Sequence, residues 1–521
     1  MTATPMTSTP TPTATPAPAR QAPLLLGTAL ALGVAADQLF RVPAWGLNLA
    51  VFVVWLAVWA GQFAARDKDR LDRSPWPLLA ACFFALMWAV RDAEMLLAWN
   101  VLAALGLLSL PLVQARGLRL REAGTIETLL GPARAGWNAF VGMIVVLFRD
   151  MRWLDLLGQS RLRRAGAAVA GVVLALPFLL VFGALFASAD PMFRAALQWM
   201  FIWDPTVIVR HAVPIGAVAW VSAGYLRAVA QPARDLKNPF GHLVPEITMG
   251  FVPVATALGA MVLLFTLFVA VQTGSLFRGE SFVLSHTGLT FAEYARGGFF
   301  QLVAASALAL PVVYGAPWVA ALAGAGAAAR EVRSLRALQA AQLGLVALVA
   351  VSALWRMSVY IRAYGLTEDR LYGAAIIVWI GAMIAVFART ILVGRPQSAA
   401  LGATAAAALV LGLLNLANPD ALIARYNLDR ATGRLDVEHL LTLHADATPV
   451  IVSRLGALDD ASRCALATGL ASRWRDAPAG DWRSWNLARA RARRLLPTIE
   501  RAAADCPPVS ATPSQARRSV T

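Results

Sequence analysis

The chain has 521 residues, of which 58% are hydrophobic and only 15% are charged. Soluble domains carry roughly 25% charged residues, so this composition excludes a chain that folds mainly in water. The net charge of +16 could indicate a nucleic-acid-binding protein, but the arginines separate apolar runs instead of forming one basic stripe, and we expect no nucleic-acid partner.

Residues 1–22 are rich in Thr, Pro and Ala and predict a disordered tail, because such a composition cannot bury a core. About eleven apolar runs follow, each close to the roughly 20 residues that cross a hydrocarbon layer. The predicted spans are 24–40, 45–64, 75–90, 93–114, 165–187, 206–229, 248–273, 299–321, 337–359, 371–393 and 398–416. The predicted fold class is therefore all-α, a polytopic transmembrane helix bundle of about 11 spans over residues 23–416.

A twelfth apolar run, residues 137–148, is short for a crossing and predicts an interfacial or re-entrant element. Charge bias favours this interpretation, because cytoplasmic loops are enriched in arginine and lysine. With a cytoplasmic N-terminus, alternate loops hold most of these residues, above all an Arg-rich cytoplasmic loop at 115–164. A full span at 137–148 would reverse every later loop. The predicted location is a bacterial plasma (inner) membrane.

Residues 417–508 mix arginines, carboxylates and short amphipathic patterns, and they predict a small helical soluble domain on the extracytoplasmic side. Residues 509–521 predict a second disordered tail. Cys464 and Cys506 could pair if this domain lies in an oxidising compartment. The three cysteines lack the spacing of a zinc or redox site, so the sequence predicts no metal, no cofactor and no catalytic residue.

Three polar strings stand at helix ends that the charge bias places outside the membrane: FAEYARGGFF (291–300), RMSVYIRAYGLTEDR (356–370) and NLANPDALIARYN (415–427). In this order, and at the outer ends of consecutive helices, they resemble a family of bacterial multi-pass membrane proteins known only as a domain of unknown function. The resemblance covers about residues 180–450. It implies a membrane fold and brings no activity with it.

The strings define a candidate ligand site, here called the Arg/Tyr cluster: Glu293, Tyr294, Arg296, Arg356, Tyr360, Tyr364 and Arg370. Arg356, Tyr360 and Tyr364 are spaced four residues apart and therefore share one face of a continuing helix. Arginine forks suit an anionic lipid headgroup or a small anion. The alternatives are an interhelical ion-pair network and a docking surface for the C-terminal domain or a membrane partner protein.

The hypothesis that needs the fewest further assumptions is that the protein is a non-catalytic envelope or signalling component. One alternative is a transporter of a small or lipidic anion, for which Pro177, Pro214, Pro253 and Pro311 would supply helix breaks. Another is an enzyme similar to lipid-phosphate-dependent glycosyltransferases, for which Asp37 stands near the first outer loop. An intramembrane pair, Arg210 and His211, is interpreted as a snorkelling pair near the outer edge.

Overall fold

The structure is a computed structural model that describes residues 17–42, 44–66, 74–115, 131–151, 171, 175, 178–179, 181–183, 185–200, 205–230, 249–287, 298–320, 328–393, 399–430, 435–476 and 480–507. Every regular element in these ranges is helical. In chain order the α-helices are α1 (Ala17–Leu39), α2 (Leu47–Ala65), α3 (Trp76–Met87), α4 (Glu94–Ala115), α5 (Gly131–Val145), α6 (Pro191–Met200), α7 (Pro205–Ala230), α8 (Phe251–Thr287), α9 (Phe299–Val319), α10 (Ala329–Tyr364), α11 (Glu368–Val393), α12 (Ala399–Ala417), α13 (Pro419–Asp429), α14 (Val437–Thr442), α15 (Thr448–Arg454), α16 (Asp460–Arg475), α17 (Leu487–Arg494) and α18 (Leu496–Ala504).

Within the described ranges, ten helical segments are long and apolar enough to cross a membrane. They are Gln21–Leu39, Leu47–Ala65, Glu94–Ala115, Gly131–Asp150, Val209–Ala230, Phe251–Gln272, Phe299–Pro317, Ala329–Tyr364, Glu368–Ile391 and Ala399–Ala417. The all-α polytopic bundle is thus confirmed, and the chain is an integral membrane protein. The predicted span 75–90 corresponds to the shorter helix α3, and most of the predicted span 165–187 lies outside the described residues.

Residues 137–148 belong to a longer helix than the sequence predicts, and their interfacial or re-entrant placement stays a prediction. These residues lie inside a 20-residue helical segment, Gly131–Asp150, formed by α5 and a π-helical turn, Val146–Asp150. The full length of this helix is not apparent from hydropathy because the segment begins with small and polar residues and ends with a carboxylate. Asp150 is buried and accepts hydrogen bonds from the guanidinium of Arg227 on α7, so its charge does not exclude it from the helix end.

The predicted tails fall mainly on residues that the structure does not describe, namely 1–16 and 508–521. Helix α1 begins at Ala17, before the predicted start of the bundle at residue 23.

The chain divides into two compact units, one of residues 1–82, 105–119 and 129–239, and one of residues 83–104, 120–128 and 240–521. In the first unit, α7 packs against α1, α2 and α5. Glycine makes the contact between α5 and α7 possible: a Cβ at Gly142 would lie 2.8 Å from the Cα of Gly224, and a Cβ at Gly224 would overlap the carbonyl of Ala139. Small residues allow such close helix packing in membranes.

In the second unit, α10 packs against α8, α9 and α11. Polar pairs fix these helices to one another, since Ser352 donates to Gln272 at 2.6 Å and Gln339 donates to the carbonyl of Val313 at 2.7 Å. The amides of Asn100 on α4 and Asn415 on α12 donate to each other at 2.9 and 2.8 Å, and both side chains are fully buried. Inside hydrocarbon such a reciprocal pair leaves few polar atoms unsatisfied.

The described residues between 419 and 507, here called the C-terminal domain, share a core that gathers Ile423, Leu440, Ile451, Leu470 and Ile499. A disulfide joins Cys464 on α16 to Cys506, which follows α18. Its sequence separation of 42 residues corresponds to about 4 kcal/mol of stabilisation by restriction of the unfolded chain. A single residue, Asn418, connects this domain to α12, and its side chain accepts a hydrogen bond from the first turn of α13.

Replacement of Gly224 by alanine should separate α5 from α7 and lower stability by about 1–3 kcal/mol, because the new Cβ meets backbone that cannot move away cheaply. The matched control is Gly216→Ala on the same helix, where a Cβ meets no described atom within 4 Å. Thermal unfolding of the full-length protein in detergent measures both. Equal melting temperatures for the two variants would contradict the close packing of α5 and α7.

Candidate functional site

The loop between α3 and α4 is bound directly to the C-terminal domain. The side-chain amide of Asn486 donates to the carbonyls of Trp88 and Arg91 at 2.8 and 2.6 Å, and the backbone N–H of Leu487 donates to the carbonyl of Ala89 at 2.7 Å. Asn486 also caps α17 through the N–H of Arg489. The N-terminal end of α17 is therefore held against this loop by hydrogen bonds.

Arg91, in the same loop, caps the C-terminal end of α12. Its guanidinium donates to the carbonyls of Asn415 and Leu416, and it pairs with Asp446 of the C-terminal domain at 3.2 Å. Helices end with carbonyls that have no intrahelical donor. Arg91 satisfies two of these carbonyls and holds a carboxylate of the C-terminal domain beside them.

The turn between α10 and α11 is the second attachment point. Gly365 has φ +81°, a left-handed conformation that favours glycine, and a Cβ there would lie 2.8 Å from Oδ1 of Asn427. Both ends of the Asn427 side-chain amide on α13 bind the backbone of Leu366. Oδ1 accepts from the Leu366 N–H at 2.8 Å, and Nδ2 donates to the Leu366 carbonyl at 2.7 Å. The side chain of Leu366 belongs to the core of the C-terminal domain.

Three ionisable residues converge beside this turn, and we call them the junction cluster: Glu368, Asp420 and His444. Glu368 opens α11, Asp420 lies in the first turn of α13, and His444 precedes a 3-10 turn, Ala445–Ala447. Nδ1 of His444 lies 3.1 Å from Oδ2 of Asp420 and 3.7 Å from Oε1 of Glu368. One potential ligand atom of each residue lies within 4.8 Å of the other two, so these residues could hold a metal ion.

The electrostatics of this region are dominated by buried carboxylates. Hydrogen bonding to Asp420 and then to Glu368 raises the pKa of His444 to about 10, so the ion-free cluster carries an imidazolium. Burial raises the pKa of Asp446 and of Asp92, although Arg91 and Arg489 oppose this effect. Asp420 adds to the rise at both positions, because its negative charge lies nearby.

The predicted Arg/Tyr cluster is only partly described. Glu293, Tyr294 and Arg296 lie outside the described residues. Arg370 lies with its guanidinium carbon 4.1 Å from the ring centroid of Tyr360, and the rings of Tyr360 and Tyr364 form an edge contact at 5.2 Å. Arg370 also donates to the carbonyls of Tyr364 and Gly365 at the end of α10.

Arg356 is buried on α10, one helical turn before Tyr360, with Nη1 4.0 Å from the Cβ position of Gly298. A ligand at the predicted cluster stays a prediction. Sequence reasoning missed Asp420 and His444 as site residues, although Asp420 lies in the third polar string. The available signal was the sequence Asn-Pro-Asp at 418–420, which marks a helix start directly after a span.

Asp37 lies in a separate charged group in the first unit. Its buried carboxylate pairs with Arg41 at 2.7 Å and with Nδ1 of His211 at 2.9 Å, and Arg41 also contacts His211. The two residues of the predicted snorkelling pair therefore behave differently: His211 pairs with Asp37 on α1, and Arg210 is exposed.

Replacement of Asp446 by asparagine should loosen the loop between α3 and α4, because the ion pair with Arg91 is lost. Hydrogen exchange at the N–H of Asp92, which donates to Asp446 at 2.6 Å, should become about tenfold faster or more. The control is Asp460→Asn, whose carboxylate is 89% exposed and pairs only within its own helix turn. Equal exchange rates in the two variants would contradict a structural role for the Asp446 pair.

Comparison with known proteins identifies the family. Residues 78–453 match the family model described as a domain of unknown function, DUF4153. No curated protein and no solved structure matches the chain. The matched residues include α4 to α13 and the whole junction cluster. Because the family model covers well over half of the sequence, the chain belongs to the DUF4153 family.

Proposed function

We propose that this protein is a non-catalytic component of a bacterial plasma membrane that carries its C-terminal domain on the extracytoplasmic face and couples this domain to its transmembrane helices. One observation supports this proposal above the others: the domain has no flexible tether to the bundle of the second unit. It shares Leu366 with the turn between α10 and α11, and Asn418 alone joins it to α12.

The proposed coupling runs through three helix ends. Arg91 links α12 to Asp446, Asn427 links the α10–α11 turn to α13, and Arg430 donates to the carbonyl of Arg362 near the end of α10 at 2.8 Å. A rotation or shift of α10 would break these hydrogen bonds unless the C-terminal domain moved with it. The domain and these helices therefore behave as one mechanical element.

The contacts of Arg370 support coupling over the binding of an anionic lipid or small ligand at the same place. Its guanidinium is engaged with two carbonyls of its own turn and with the ring of Tyr360. An anion there would have to compete with these contacts. The hypothesis of an anionic ligand keeps Arg356 as its test residue, with loss of ligand retention by Arg356→Gln at unchanged protein level as its expected result.

The disulfide supports the proposed orientation, since disulfides persist in oxidising compartments such as the periplasm and are rare in the cytosol. Alkaline phosphatase fused after Thr521 should be active, and a fluorescent protein fused there should be dark. Fusions that end at residue 397, before α12, should give the opposite pair of results. Fluorescence of the full-length fusion would overturn the extracytoplasmic assignment.

Coupling predicts that Asn427→Leu disconnects the domain, because an apolar side chain cannot make either hydrogen bond to Leu366. Hydrogen exchange at Leu366 should accelerate about tenfold, and the variant should fail to restore the phenotype of a deletion strain. The matched control is Asp429→Asn on the same helix, which removes only an exposed pair with Arg454.

The same rescue assay distinguishes the enzyme alternative. Asp37→Asn should restore the deletion strain when it reaches the wild-type protein level, because no catalytic role is assigned to that carboxylate. Failure of rescue by Asp37→Asn, together with full rescue by Asn427→Leu, would favour an enzyme over a coupling protein.

A further inference from the structure

We propose that Glu368, Asp420 and His444 form a binding site for a divalent transition-metal cation of the zinc type. The ligand set is one imidazole and two carboxylates, contributed by three separate segments: the start of α11, the first turn of α13 and the residue before the 3-10 turn at 445–447. The site lies where the C-terminal domain meets the membrane helices of the second unit, and it goes beyond the function proposed above.

The distances between the ligand atoms suit a small cation. Bonds of about 2.0 Å in tetrahedral arrangement separate neighbouring ligand atoms by about 3.3 Å. Nδ1 of His444 is 3.1 Å from Oδ2 of Asp420 and 3.7 Å from Oε1 of Glu368. One potential ligand oxygen of Asp420 and one of Glu368 lie within 4.8 Å of each other, so side-chain movements alone would bring all three residues to bonding distance of one ion.

Asp420 supplies an independent observation that points to a ligand. Its side chain is completely buried, and its Oδ2 accepts from both the backbone N–H and the ring of His444. Its second oxygen, Oδ1, has no hydrogen-bond partner in the described part of the chain. A buried carboxylate oxygen without a partner loses the full free energy of its hydration, and a bound cation would restore that interaction.

The surrounding charges favour a cation as well. Asp92 and Asp446 stand near Asp420, and the negative charges of the three carboxylates repel one another. A divalent ion would reduce this repulsion more than the single proton on His444 does. An imidazole ligand favours zinc, nickel, copper or cobalt over magnesium and calcium, which prefer oxygen ligands alone.

The site is open on one side. The side chains of His444 and Glu368 are 27% and 35% exposed, whereas that of Asp420 is not exposed at all. An ion can therefore enter from solvent and bind against the buried carboxylate. Three protein ligands leave one tetrahedral position for water or for a group of a partner.

The test uses the full-length protein without a histidine tag, purified in detergent, stripped with EDTA and dialysed against zinc. Bound zinc is measured by mass spectrometry, and affinity by competition with a chromophoric chelator. The wild type should bind one zinc ion per chain. Glu368→Gln and His444→Gln should bind it at least about tenfold more weakly. Zinc should also raise the melting temperature of the wild type more than that of Glu368→Gln or His444→Gln.

Two control variants make the result specific. His211→Gln removes a histidine that faces a single carboxylate, Asp37, and Glu438→Gln removes an exposed carboxylate close in sequence to the site. Both should retain the zinc ion. Glu368→Gln changes a partly exposed side chain and should fold as the wild type does, which circular dichroism checks. Equal zinc binding by wild type and folded Glu368→Gln, or loss of zinc in His211→Gln, would overturn the proposal.

Discussion

The carbonyl groups at the ends of transmembrane helices are the constraint on which the second unit depends. The last turn of a helix leaves carbonyls without intrahelical donors, and at the edge of a membrane such groups need partners. At the ends of α10 and α12 the partners are guanidinium groups of Arg91, Arg370 and Arg430. Arg91 and Arg430 come from other segments of the chain. Satisfaction of the helix ends therefore also assembles the contact between bundle and C-terminal domain.

These arginine contacts show that part of the positive charge of the chain has a structural role. The distribution of arginine along the sequence predicts that part of the excess orients the helices in the membrane. Another part is structural, because guanidinium groups can donate to several carbonyls at once while they pair with a carboxylate. Arg91 does both. Lysine lacks the rigid planar fork of arginine, so it would hold two carbonyls and Asp446 in a less fixed geometry.

The sequence predicted most of the bundle, because hydropathy over some 20 residues reports directly on the cost of burying a segment in lipid. It underestimated the length of the helix at 131–150, where Asp150 pairs with Arg227, a partner far away in the chain. The contact between Tyr360 and Tyr364 could be predicted from the sequence, since residues four apart on a helix are neighbours. The junction cluster could not be predicted, because its residues belong to three segments that only tertiary packing brings together.

The length of α10 has a consequence for how the protein responds to its lipid environment. Its 36 residues extend over about 54 Å, far more than the roughly 30 Å of hydrocarbon, and Arg330, Arg333 and Arg336 follow its start. The far end of the same helix is fastened to the C-terminal domain. A bilayer that thickens or thins would change the tilt of so long a helix through hydrophobic mismatch. Bilayer thickness thereby becomes a physical variable that acts on the position of the C-terminal domain.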